Sequence, residues 1–177
     1  MKSLGRFLIV FLLFSLPAFA DGHDITIFAG AQFPGAITIS NVTSGATQTI
    51  SSPTKAGLFG LRYGRARIVG HEETIAYTSK FLDSNSKSLI LNSNLLVQAP
   101  FPVVKPYVTV GAGTIYSWGS GISDLGAKFG VNYGGGIKLR PSGPVGIRID
   151  ARGYSLFGIE GNTLKIGEVT VGVMFAF

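Results

Sequence analysis

The sequence predicts an all-β fold, an eight-stranded antiparallel up-and-down transmembrane β-barrel, and three observations carry that expectation. The segment Lys165 to Phe177 alternates with period two, placing Val169, Val171, Val173, Phe175 and Phe177 on one face and Glu168, Thr170, Gly172, Met174 and Ala176 on the other. The chain is 46% hydrophobic, yet beyond its first 20 residues no apolar run approaches the ~20 residues that a helical span needs. The connections between strand-like segments also alternate, longer polar stretches with shorter Pro/Gly turns, as in barrels that cross a membrane.

Taken in order, Met1 to Ala20 begins with the cations Lys2 and Arg6, continues with an apolar run from Phe7 to Leu16, and closes on Pro17 and Ala18-Phe19-Ala20 before Asp21. That order is the pattern of a secretory signal peptide, which is set aside from the fold and leaves residues 21–177 as one barrel domain. Lys2 and Arg6 account for two units of the net charge of +6. There is no cysteine, so disulfides, thiolate metal sites and a lipoprotein signal are all excluded.

Alternation then predicts strands over Asp24–Gln32, Ala56–Tyr63, Arg67–Ser79, Ser88–Gln98, Lys105–Trp118, Gly126–Arg140, Val145–Leu156 and Lys165–Phe177. The first connection, Phe33 to Lys55, is long and rich in Ser, Thr and Gly; the second, around Gly64-Arg65-Ala66, is tight. Pro141-Ser142-Gly143-Pro144 reads as a turn. An even strand number places both ends of the barrel on one side, expected to be the periplasm.

Parity assigns the faces. Phe129, Val131, Tyr133 and Ile137 oppose Lys128, Asn132, Lys138 and Arg140, while Val145, Ile147 and Ile149 oppose Arg148, Asp150 and Arg152. A cation on the lipid side near the midplane costs ~2–4 kcal/mol, so the charged face is expected to line the lumen. Enclosed charges need partners. The expected lumen network is Arg62, Glu72, Lys128, Arg148, Asp150, Arg152 and Glu168, with Asn92, Asn94 and Gln98 as neutral hydrogen-bonding groups. Arg65, Arg67 and Arg140 are expected at the turn-facing rim. Glu72 and Glu73 are adjacent, so one must face outward unless a bulge intervenes; Glu72 is assigned inward with Thr74 and Ala76. Aromatic belts are expected from Tyr77, Phe81, Tyr116, Trp118 and Phe129 at one end and from Phe101, Tyr107, Phe175 and Phe177 at the other. The run Gly134-Gly135-Gly136 marks close backbone approach or curvature.

The closing alternation from Val169 to Phe177 resembles the C-terminal strand of bacterial outer-membrane barrels, in which the last aromatic and the alternate apolar residues are read by the barrel assembly machinery. Ile25-Thr26-Ile27-Phe28-Ala29-Gly30-Ala31-Gln32-Phe33-Pro34-Gly35 is similar to the first strand and loop entry of the small eight-stranded OmpA/OmpX-like superfamily. The resemblance covers the barrel domain alone. It implies a bacterial outer membrane location, lipid contact and assembly by that machinery, while the peptidoglycan-tethering role of longer relatives is not implied. Such barrels serve as adhesins, structural barrels, small pores and a few lipid-modifying enzymes, so activity does not follow from the fold.

Catalysis is not expected. His23 lies beside the cleavage site, His71 lies near a short turn, and adjacent strand residues such as Glu72 and Glu73 cannot serve one site. No cofactor or metal is called for, and the basic residues follow strand parity rather than clustering with stacking aromatics, which argues against nucleic acid. A monomer is expected, its lumen filled by polar and charged side chains and lacking a wide pore. Two short alternating stretches, Ile37-Thr38-Ile39 and Thr47-Gln48-Thr49-Ile50, suggest a hairpin within residues 36–50 whose edges could capture an external partner by strand addition. The alternative is a secreted, soluble lipocalin-like barrel binding a small apolar ligand, which would reverse the two faces.

Overall fold

Alternating side chains can be satisfied on both faces at once if the sheet closes on itself, and closure also removes every exposed edge. The computed structural model has this form. It describes residues 22–35, 37–40, 47–50, 55–81, 85–119, 125–159 and 162–177; the leader expected over Met1 to Ala20 lies outside them. The strands are β1 (His23–Pro34), β2 (Ile37–Ser40), β3 (Thr47–Ile50), β4 (Ala56–Ala66), β5 (Val69–Ser79), β6 (Lys87–Gln98), β7 (Val104–Trp118), β8 (Gly126–Leu139), β9 (Val145–Ile159) and β10 (Asn162–Ala176). Eight close in the order β1-β10-β9-β8-β7-β6-β5-β4, and β2 with β3 forms a separate two-stranded sheet. Barrel neighbours are antiparallel throughout, including the closing pairs β1–β10 and β1–β4.

The first tight turn sits later than the sequence suggested. Gly64 and Ala66 keep the inward parity of Arg62 and pair with Glu72 and Gly70, so β4 continues and the chain bends at Arg67-Ile68. We call the end that carries this bend and both described chain ends the terminal end, and the opposite one the loop end.

The outer surface is apolar. Ile147 is 51% and Val171 55% exposed, and Val169, Val173, Phe175 and Phe177 share that outward face. The charged residues of the same strands are inside: Arg62 and Arg148 are fully enclosed. A soluble lipocalin-like barrel needs the opposite arrangement, so that alternative is withdrawn. At the loop end Phe59, Tyr77, Trp118 and Tyr116 form a continuous outer aromatic cluster, with successive ring centroids 5.5, 6.2 and 5.6 Å apart.

Two expected belt residues lie elsewhere. Tyr107 has the parity of Thr109 and is buried in the lumen. Phe81 is also fully buried, because Lys80 takes a left-handed φ of 58° that turns the chain back after β5. Phe81 joins Phe28, Leu58, Ala76, Ile90, Ile115, Tyr154, Leu156, Leu164 and Ile166 in an apolar cluster inside the barrel. The charged groups therefore fill the middle and terminal parts of the lumen, while its loop-end part holds this apolar plug together with buried Gln32, Thr78, Ser88 and Ser117. Parity identifies the inward face but not what each depth requires. Ile166 and Glu168 share a face of β10 and lie in different layers.

The glycine run reflects close approach. A Cβ at Gly134 or Gly136 would collide with the carbonyl of Ala151 or Ile149 on β9, and at Gly136 also with the Tyr107 hydroxyl. Only glycine lets Tyr107 reach across the lumen there.

Candidate functional site

The middle of the lumen holds a network assembled from strands on opposite walls. Glu72 on β5 receives Arg152 Nη2 at 2.6 Å on Oε1 and Arg148 Nη2 at 2.5 Å on Oε2. Asp150 is the second hub, with Arg62 Nη1 at 2.9 Å, Arg148 Nη2 at 3.1 Å and Arg152 Nη2 at 3.0 Å. Arg62 Nη2 continues to Glu168 Oε1 at 2.8 Å, and Gln32 Nε2 donates to Glu168 Oε2 at 2.9 Å. Lys138 Nζ reaches Asp24 Oδ2 at 2.6 Å. Among the described residues four cations thus face four carboxylates within hydrogen-bonding reach, and a buried ion cluster depends on such a balance of charge. Aromatic rings complete the enclosure. Arg62 Cζ lies 3.8 Å from the Phe28 ring centroid and Arg148 Cζ 4.6 Å from that of Tyr107. The Tyr107 hydroxyl donates to Asp150 Oδ1 and accepts from Arg148 Nε at 2.9 Å.

Of the residues singled out from the sequence, Arg62, Glu72, Arg148, Asp150, Arg152 and Glu168 are brought together. Lys128 is not. It lies near the loop end, where Nζ donates to the Gly158 carbonyl at 2.9 Å in an exposed setting, because β8 carries it to the level of Ile115 in the plug rather than into the charged layer. Asp24, Lys138, Gln32 and Tyr107 also belong to the interior network, beyond the residues expected in it. Asp24 and Lys138 share the inward parity of Thr26 and Asn132, so the alternation contains that signal; the belt position expected for Tyr107 follows depth rather than parity. Asn92, Asn94 and Gln98 are buried on the inward face of β6.

β5 runs without a bulge between β4 and β6, so Glu72 points in and Glu73 points out beside Ile75 and Tyr77. Ser93 Oγ donates to Glu73 Oε1 at 2.8 Å, which satisfies part of a carboxyl placed on the membrane-facing wall. His23 Nδ1 lies 2.6 Å from the Tyr63 hydroxyl, and its ring stacks on Phe177 at 5.9 Å. His71 pairs in register with Arg65 and Leu95. No group of three His, Asp or Glu among the described residues is arranged to hold a metal.

Beyond the loop end of β1, β2 and β3 pair from Ile37↔Ile50 to Ser40↔Thr47. The Gly35 amide donates to the Lys165 carbonyl at 2.8 Å, tying the base of this hairpin to the barrel rim.

The family model described as the outer membrane protein beta-barrel domain matches residues 7–177. No curated protein matches the sequence. Among solved structures, Neisserial surface protein A is similar with a TM-score of 0.62 at 15% identity, over 86% of this chain and 97% of that one. The outer membrane protein OprG from Pseudomonas aeruginosa is similar with a TM-score of 0.53 at 15% identity, over 89% and 97%. The outer membrane enzyme PagL is similar with a TM-score of 0.53 at 14% identity, over 87% and 99%. At these identities the likeness concerns the fold.

Proposed function

The chain belongs to the outer membrane protein beta-barrel family, and from that premise we propose that it is an integral outer-membrane barrel whose role is surface interaction through its loop end, carried by the β2–β3 hairpin. The hairpin is the single observation that supports this reading. It forms a sheet of its own outside the closed barrel, so its two edges are unpaired by the barrel strands, and such edges can take up a partner strand. The barrel beneath supplies a rigid mount: its lumen is filled by an apolar plug above a charge-balanced network, and no wide aqueous pore is part of the reading.

On this reading Met1 to Ala20 are removed as a signal peptide on export, the terminal end faces the periplasm, and Val169, Val171, Val173, Phe175 and Phe177 are read by the assembly machinery. The barrel acts as a monomer without a catalytic step or cofactor. The test is deletion of residues 36–50 in cells that display the protein. Loss of binding to host cells or matrix with unchanged surface amount supports the reading; unchanged binding removes the hairpin from it.

A further inference from the structure

The terminal end of the barrel opens into a cavity of about 940 Å³, lined among others by Arg67, Lys105, Lys138, Arg140, Asp24 and Phe101. Its charge is lopsided. Lys138 is held by Asp24, whereas Arg67, Lys105 and Arg140 have no ion-pair partner among the described residues. Asp24 is the one side-chain carboxylate in the lining.

The strand register concentrates the cations further. Lys105 on β7 is directly opposite Lys138 on β8, and Lys138 is directly opposite Arg148 on β9. Like charges paired across strands are destabilising. Asp24 balances Lys138, and Glu72 and Asp150 balance Arg148, so Lys105 is the member of the row left without a carboxylate.

The cavity is also preformed and closed above. Its turns are tied to neighbouring strands by Gln98 N to Ile68 O at 2.7 Å, Ala99 N to Pro106 O at 2.9 Å, Arg140 N to Val103 O at 2.9 Å and Ala176 N to Pro144 O at 2.7 Å. Gln98 Nε2 donates to the carbonyls of Ala66 and Arg67 at 2.9 and 3.0 Å, fixing the main chain that carries Arg67. Pro100, Pro102 and Pro144 stiffen its wall. Directly above, the fully buried Arg148 and Glu72 form its ceiling.

We propose that this vestibule is a binding site for a phosphate-type polyanion presented from the terminal side of the membrane, with Lys105, Arg140 and Arg67 as its principal contacts. Guanidinium groups suit phosphate oxygens in paired hydrogen bonds, and Lys105 adds a point charge deeper in the row. Phosphate oxygens reach such a site either in a soluble molecule or on a lipid headgroup in the adjoining leaflet. The apolar surface of Phe101, Ile68 and Met174 beside the cations accommodates both.

The test uses the full chain folded in non-ionic detergent micelles at low ionic strength, titrated with inorganic pyrophosphate in a calorimeter. Retention of phosphatidylglycerol is measured in parallel by native mass spectrometry. One-to-one pyrophosphate binding that weakens about tenfold or more in Lys105→Gln/Arg140→Gln, and that survives in Lys105→Arg, supports the site with a soluble source. Phosphatidylglycerol retained by the wild type, lost by the double variant and displaced by pyrophosphate supports it with a lipid source. Lys128→Gln removes one positive charge at the opposite end and should change neither readout. Absence of both kinds of binding overturns the proposal, as does binding that persists in the double variant or falls equally in Lys128→Gln. Heat-modifiable gel migration establishes that each variant is folded, and Arg67→Gln replaces the double variant if that one is not.

Discussion

Glu72 and Arg152 meet across the full width of the barrel: Oε1 and Nη2 are 2.6 Å apart, although β5 and β9 are separated by three strands in either direction around the ring. Their contact braces opposite walls, and both side chains are enclosed. Replacing Glu72 by leucine leaves Arg152 and Arg148 short of a counter-charge, so it should destabilise the barrel by about 3–5 kcal/mol. Urea unfolding in lipid vesicles measures this. Glu72→Leu combined with Arg152→Leu should cost less than the two single changes added together, because neither charge is left unmatched.

The neighbouring carboxyl should behave in the opposite way. Glu73 points to the membrane side and is held by Ser93, so Glu73→Leu exchanges a polar group in an apolar belt for a matching one. The same unfolding assay should find it neutral or stabilising by up to about 2 kcal/mol. A loss comparable to that of Glu72→Leu would place Glu73 in the lumen instead.

Close packing of β8 on β9 gives a prediction that involves no charge. Gly136→Ala drives a methyl group into the Ile149 carbonyl and the Tyr107 hydroxyl, and should cost about 1–3 kcal/mol or more. At Gly57 an added Cβ meets nothing within 4 Å, so Gly57→Ala should stay within about 0.5 kcal/mol of wild type. The yield of the heat-modifiable folded form compares the two directly.

Depth should grade the cost of a charge on the outer wall. Val171 lies in the middle stretch of β10, whereas Val145 is the first residue of β9 at the terminal rim. Val171→Arg should cost ~2–4 kcal/mol and Val145→Arg ~0–1 kcal/mol. Equal costs at both positions would contradict a membrane-embedded belt.

How far the sequence discloses this molecule depends on what alternation can encode. Period two separates Val171 from Thr170 and Ile147 from Arg148, and that separation carries the barrel, its strand number and its inside-out polarity. Depth is encoded only weakly. Position along the chain predicts Phe81 and Tyr107 in the aromatic belts, yet a left-handed Lys80 and the inward parity of β7 send both inside. Lys128 has the parity of Asn132, but it stands opposite Ile115 at the level of the plug, clear of the charged layer. The pairing of Asp24 with Lys138 joins residues 114 positions apart, and no local pattern indicates which cation a given carboxylate will meet.

The inside-out arrangement can be read most directly with spin labels, since the chain contains no cysteine and single ones can be introduced freely. With the protein in lipid vesicles, labels at positions 131, 147 and 171 should collide readily with oxygen dissolved in the acyl region and rarely with a water-soluble nickel chelate, while a label at position 132 should be shielded from both. Ready collision of the chelate with the label at 171 or 147, together with poor oxygen access, would mean that the valines and isoleucines do not face lipid.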